Sequence, residues 1–151
     1  MAFNDGILNS LEGTVNKLKD AINTTIRESF EQNKNIVLDY QREQLFSGTT
    51  AKSNSIRPFP YAKSTINYKR KKGQPTDRIT LKDSGNYYLT FDLLIGNNST
   101  LIFNTKQSYS VYLIERYADI LGLTEENKSL FVQNYTLPII KKKFDDIIAE
   151  S

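Results

Sequence analysis

Residues 91–105 read FDLLIGNNSTLIFNT. Two apolar, β-prone runs flank Gly96-Asn97-Asn98, the residue types that a tight hairpin turn takes. An antiparallel hairpin over Phe91–Thr105 is the clearest β signal in the chain. On both sides of it the apolar residues recur every three or four positions, so the hairpin sits between helical segments. The expected fold class is therefore α+β: long N-terminal helices, a small antiparallel hairpin, and C-terminal helices.

Upstream, Ile7, Leu8, Leu11, Val15, Leu18, Ile22, Ile26 and Phe30 form one stripe of an amphipathic helix about 25 residues long. Its other face carries Lys17, Lys19, Asp20, Arg27 and Glu28. Two roles stay open for the stripe: a core face of its own domain, or a contact between subunits. The run NKNIVLDYQREQLFSG reads as a second helix, with Ile36, Val37, Tyr40 and Leu45 inward and Gly48 as its stop. Residues 47–61 read as a loop, in which RPFPY is extended because each residue before a proline leaves the helical region. Tyr61 to Lys72 reads as a short helix carrying Tyr61, Ile66 and Tyr68, and residues 73–77 as a turn. RITL is β-prone, and Asp83 or Ser84 is placed to cap a helical turn through GNYYLTF.

Downstream, SYSVYLIERYADILG reads as a helix with Val111, Ile114, Tyr117, Ala118 and Leu121 on one face and Gly122 at its end. Thr124 is the expected N-cap of the next helix, with Glu125 and Glu126 in its first turn. Pro138 begins a new segment, since a proline inside a helix loses a hydrogen bond. Lys141, Lys142 and Lys143 are then expected near the last turn.

The 151 residues contain neither Cys nor His. That excludes disulfides, thiolate and imidazole metal sites, and Ser-His or Cys-His catalytic pairs. Asp77, Asp83 and Asp92 are scattered over a turn, a cap and a strand, and read as caps and solvated groups rather than an acid/base pair. No P-loop, G-x-G-x-x-G or EF-hand spacing occurs. The expectation is no enzyme, no cofactor, no metal and no small-molecule substrate. MAFNDGILNSLEG lacks the cationic start of a secretory leader, and no apolar run approaches a membrane span, so synthesis in a cytoplasm and no membrane partner are expected.

The charge is concentrated. Between Arg57 and Lys82 eight cations face one anion, Asp77, a local +7 in a chain whose total is +3. Lys69, Arg70, Lys71, Lys72 and Arg78 are the candidate patch for DNA or an acidic partner. Tyr61 and Tyr68 lie close enough in sequence to stack on bases. The 17 aromatics include nine Tyr and no Trp. Tyr suits interfaces, and the segments at Asn86–Tyr88 and Tyr109–Tyr117 are where subunit contacts are expected. With the stripe, they make Leu11, Val15, Leu18, Ile22, Tyr87, Tyr88 and Tyr112 the candidate subunit interface.

The stretch PYAKSTINYKRKKGQPTDRITLKDSGNYYLTF, residues 60–91, resembles the central signature of the small tail-completion and head–tail connector, or neck, proteins of tailed bacteriophages. The matching residues are Ser64-Thr65, Lys69, Leu81, Ser84-Gly85, Tyr88 and Phe91, followed by the hairpin. YADILGLTEENKSLFVQNYTLPIIKK, residues 117–142, is similar to the ends of such proteins in phages of gut Bacteroidetes, the crAss-like phages. The resemblance runs from Pro60 to Lys143, and the long N-terminal helix is not part of the pattern. It implies a structural virion protein, a ring homo-oligomer in the neck or collar. Expected partners are further copies of itself, the portal, and other neck and tail proteins. Packaged DNA joins them through electrostatics. It implies no catalytic residues. The organisation expected on this basis is a helical arm over 1–46 and a connector domain over 47–151. A small basic nucleic-acid-binding module is the alternative function.

Overall fold

A computed structural model describes residues 2–56 and 61–150, with side chains from residue 5 onward. The chain is α+β. Strands β1 (Phe91–Ile95) and β2 (Leu101–Thr105) pair antiparallel, with Phe91 opposite Thr105 and Ile95 opposite Leu101. The turn is tighter than its composition suggests. The Gly96 N–H donates to Thr100 and the Ser99 N–H donates back to Gly96. Ser99, rather than a glycine, takes the left-handed conformation at φ +55°, the position where a three-residue hairpin loop reverses the chain. Phe91, Leu93 and Ile95 of β1 are buried while Leu94 is exposed, the period-two alternation of a sheet with one covered face.

Helix α1 (Ala2–Gln32) and helix α2 (Lys34–Phe46) precede the hairpin. Helix α2 lies in the core: Val37 and Leu45 are fully enclosed and Leu38 nearly so. Gly48 ends it at φ +80°, and a Cβ there would stand 3.1 Å from that of Arg78, so both conformation and space call for glycine. Helix α3 (Lys63–Lys71) and the turn after it match expectation; the extended RPFPY reading falls largely on residues 57–60, outside the described residues.

RITL is not a strand. Its backbone groups are taken by tyrosine hydroxyls: Thr80 N–H donates to Tyr61 Oη at 3.2 Å, and the Thr80 carbonyl accepts from Tyr88 Oη. Leu81 then turns away at φ +54°. The single turn α4 (Asn86–Leu89) follows Gly85, and Ser84 Oγ accepts from the Asn86 N–H.

The helix expected through ADILG stops early. Helix α5 covers only Ser110–Arg116, and Tyr117 is extended. Its expected face divides. Tyr117 and Leu121 pack on the core, as does Leu113, and Ile120 and Leu123 are enclosed, while Val111, Ile114 and Ala118 are exposed. Two glutamines of α2 explain the break. Gln41 donates to the Ile120 carbonyl and accepts from the Gly122 N–H; Gln44 donates to the Gly122 carbonyl and accepts from the Thr124 N–H. The side-chain amides act as an extra strand edge, so the segment has backbone partners without being helical.

Helix α6 (Glu125–Phe131) starts as expected, with Thr124 Oγ1 accepting from the Asn127 N–H at 3.2 Å. The Pro138 break is absorbed by a π-helical turn, Val132–Thr136, before helix α7 (Leu137–Glu150). A wider turn ahead of the proline accommodates its ring and missing donor without ending the rod. Because α7 runs to Glu150, Lys141–Lys143 sit in its middle, not its last turn. The core joins Phe30, α2, Tyr87, Tyr88, β1, Ile120, Leu123 and Phe131.

Candidate interaction surfaces

The basic segment is the first candidate. Helix α3 turns Lys69 inward, leaving it 6% exposed. Its Nζ donates to the Lys82 carbonyl at 2.8 Å and to Gln74 Oε1 at 3.2 Å, and lies 5.1 Å from the centre of the Tyr61 ring. Burial pushes its pKa below the usual lysine value, with the nearby Asp83 charge acting in the opposite direction. Lys69 is thus a clasp that ties the loop over residues 73–83 to α3. It does not face a partner. Gln74 completes the clasp by donating to the Asp83 carbonyl at 2.7 Å.

Two further cations of the patch have partners of their own. Lys72 Nζ is 2.6 Å from Asp83 Oδ1 and 4.2 Å from the centre of the Tyr68 ring. The hydrogen bond to Asp83 raises the Lys72 pKa and lowers that of Asp83. Arg78 Nε donates to the Phe46 carbonyl at 2.9 Å, closing the end of α2, and Arg78 also pairs with Asp77. Arg70 and Lys71 are exposed, and neither forms an ion pair among the described residues. Of the five-residue patch, Lys69 is buried, Lys72 sits at the surface paired with Asp83, and Arg70 and Lys71 are the exposed cations without an ion pair among the described residues. The sequence signal for this lay in spacing: Thr65 and Ile66, half-buried, lie one turn before Lys69 on the same face of α3, and Arg70 and Lys71 lie off that face.

The tyrosine pair is the second candidate, and here the expectation is corrected. Tyr87 and Tyr88 are buried in their own subunit. Tyr87 packs edge-on against Phe91 with ring centres 4.9 Å apart, and Tyr88 stacks on the same ring at 5.7 Å. Burial pushes the Tyr87 hydroxyl up to about 12 and raises that of Tyr88 as well. Tyr88 donates to the Thr80 carbonyl, whereas Tyr87 Oη has no hydrogen-bond partner among the described residues. Tyr112 stays outside, its hydroxyl accepting from Arg116 at 2.8 Å.

The N-terminal stripe is the third. Its C-terminal half is covered. Leu18, Ala21, Ile22 and Thr25 face Ile140, Phe144 and Ile147 of α7. Ser29 hydrogen-bonds Thr136 at 2.8 Å and the Tyr135 carbonyl at 3.3 Å, and Lys143 reaches Glu28 at 2.9 Å. Its N-terminal half is bare: Ile7, Leu8, Leu11 and Val15 are all exposed. Separate apolar faces lie on α5, at Val111, Tyr112 and Ile114, and on α6 and α7, at Leu130, Leu137 and Phe144.

Among the described residues no cluster of three carboxylates, His or Cys could hold a metal ion, and no described helix is long and apolar enough to cross a membrane. The described surface offers exposed apolar residues on α1, α5, α6 and α7. No family model, curated protein or solved structure matches the chain.

Proposed function

We propose that this chain is a structural virion protein that assembles as a ring at the head–tail junction of a tailed bacteriophage. The observation that carries the reading is the bare stripe of α1 together with distinct exposed apolar faces on α5 and α7. A ring is closed by a heterologous contact, which needs two different complementary faces on each subunit. A small monomeric protein has no use for several such faces, and contiguous exposed apolar surface marks interaction sites. The resemblance over Pro60–Lys143 supports the position at the neck, with portal, neck and tail proteins as neighbours. Arg70 and Lys71 are the cations left to face packaged DNA or an acidic neighbour. Under this reading the chain performs no reaction and takes no cofactor.

The alternative, a small basic nucleic-acid-binding module, now rests on those two cations, since Lys69, Lys72 and Arg78 are engaged internally. Imaging of native particles, with sedimentation of the purified chain, tests the proposal. Concentration-dependent closed oligomers and density beside the portal are expected. A chain that stays monomeric at all concentrations and is missing from particles ends it. In that case, salt-sensitive DNA binding lost in Arg70→Ala/Lys71→Ala would favour the alternative.

A further inference from the structure

The stripe of α1 has a regular seam. Leu8, Leu11, Val15, Leu18, Ile22, Thr25 and Ser29 follow one another at spacings of three and four, the repeat that keeps one side of a helix against a partner helix. Helix α7 covers this seam from one end only. Ser29 meets Thr136, and residues 18–25 face residues 140–147, so the two helices run antiparallel. Ahead of this covered stretch Ile7, Leu8, Leu11 and Val15 are exposed, and residues 5–15 form a projection of about 15 Å at 1.5 Å per residue.

The same chain carries a face that fits this projection. Bordering the α1 seam on α7, Gln133, Leu137, Pro138, Ile140, Lys141 and Phe144 line a shallow apolar groove, which shares Ile140 and Phe144 with that seam. Leu137 is 49% and Phe144 43% exposed. Charge decides between possible occupants. The projecting residues 5–16 carry Asp5 and Glu12 and no cation, whereas Lys141 is the one charged residue among those lining the groove, with Asp145 one turn further along α7. Two projections laid against each other would oppose like charges. A projection in the groove of a second copy pairs opposite ones.

We propose that residues 7–15 of one copy dock as a helix in the α7 groove of the next copy, with Leu8, Leu11 and Val15 against Leu137, Ile140 and Phe144, and Glu12 near Lys141. The mode is an amphipathic helix in an apolar groove. The contact is heterologous, so each copy gives one projection and receives one. The inference rests on the ring reading insofar as copies of the chain must meet. It specifies which faces do so.

Single cysteines test it without background, because the chain has none. A Leu11→Cys chain and a Leu137→Cys chain, mixed and treated with a short bismaleimide, should yield a covalent dimer containing one of each. Dimers formed equally well by Leu11→Cys alone would indicate paired projections and overturn the docking. So would a crosslink from Leu11→Cys to a different virion protein with none to Leu137→Cys. If sedimentation shows rings while the mixed crosslink is missing, the docking fails and the ring reading stands; if no oligomer forms and particles lack the chain, both fail. Leu11→Glu/Val15→Glu should weaken association about 100-fold, the scale of a lost central anchor, with circular dichroism and melting temperature unchanged. Glu12→Lys should weaken it several-fold, and Lys141→Glu on the receiving copy should restore it.

Discussion

The two halves of α1 have the same kind of sequence and opposite surroundings. Residues 18–30 lie on α7, the π-helical turn and the core; Ile7, Leu8, Leu11 and Val15 are exposed among the described residues. Apolar periodicity is continuous across both. What differs is the cover: residues 140–147 of α7 face residues 18–25. An amphipathic pattern reports that a face will be covered, but not by which chain. The buried half stabilises the subunit, and the bare half is free to stabilise an assembly.

The strongest way to break this comparison is to cut into the covered end. Phe131 is fully enclosed and stacks on Phe30 with ring centres 4.5 Å apart. Phe131→Ala should cost about 3–5 kcal/mol, since an aromatic leaves a cavity that helical rods cannot close. Chemical denaturation of the dilute chain measures it, and a loss below about 1 kcal/mol would mean the core at the α1 terminus is not packed as described.

The tyrosine pair sharpens the same contrast between sealed and open surface. Tyr88→Phe removes a donor to a buried carbonyl and should cost about 1–2 kcal/mol. Tyr87→Phe removes a hydroxyl that is buried without a partner among the described residues and should be neutral or stabilising by about 1 kcal/mol. Their pH dependence has the same origin. With the folded Tyr87 hydroxyl held near 12, an unfolded chain releases its proton near 10 while the folded chain keeps it. Stability is therefore full below pH 10 and falls as the pH rises toward 12. Melting temperatures across that window should decline, and Tyr87→Phe should flatten part of the slope. A wild-type curve that stays level there would place these rings in water.

The smallest expected effect is on the bare half. Leu11→Ala should change the stability of the dilute monomer by less than about 0.5 kcal/mol, as for other surface substitutions. Amide exchange should report fast opening over residues 5–15 and protection over 25–32. A large loss of monomer stability in Leu11→Ala would show that the projecting half is folded against its own subunit.

Much of the architecture was legible from residue order. The hairpin, the two N-terminal helices, α3, the Thr124 cap and the break before Pro138 follow from alternation, spacing and turn chemistry, all local. The readings that went astray share one cause. RITL lost its strand because the hydroxyls of Tyr61 and Tyr88, 19 and 8 residues from Thr80, satisfied its backbone. The α5 helix stopped early because Gln41 and Gln44, about 80 residues upstream, bonded the segment after it. Lys69 and the Tyr87-Tyr88 pair look like surface chemistry in the sequence and are interior in the fold: carbonyls receive the polar tips of Lys69 and Tyr88, and ring packing on Phe91 holds Tyr87.

The amino-acid order alone determined the segments and their amphipathic faces, because propensity, capping and periodicity act over a few residues. Only the tertiary structure decided which faces are covered, which cations are spent on internal carbonyls, and which part of α1 lies against α7. Burial and hydrogen-bond satisfaction are settled between elements far apart in the chain, and no local pattern carries that information.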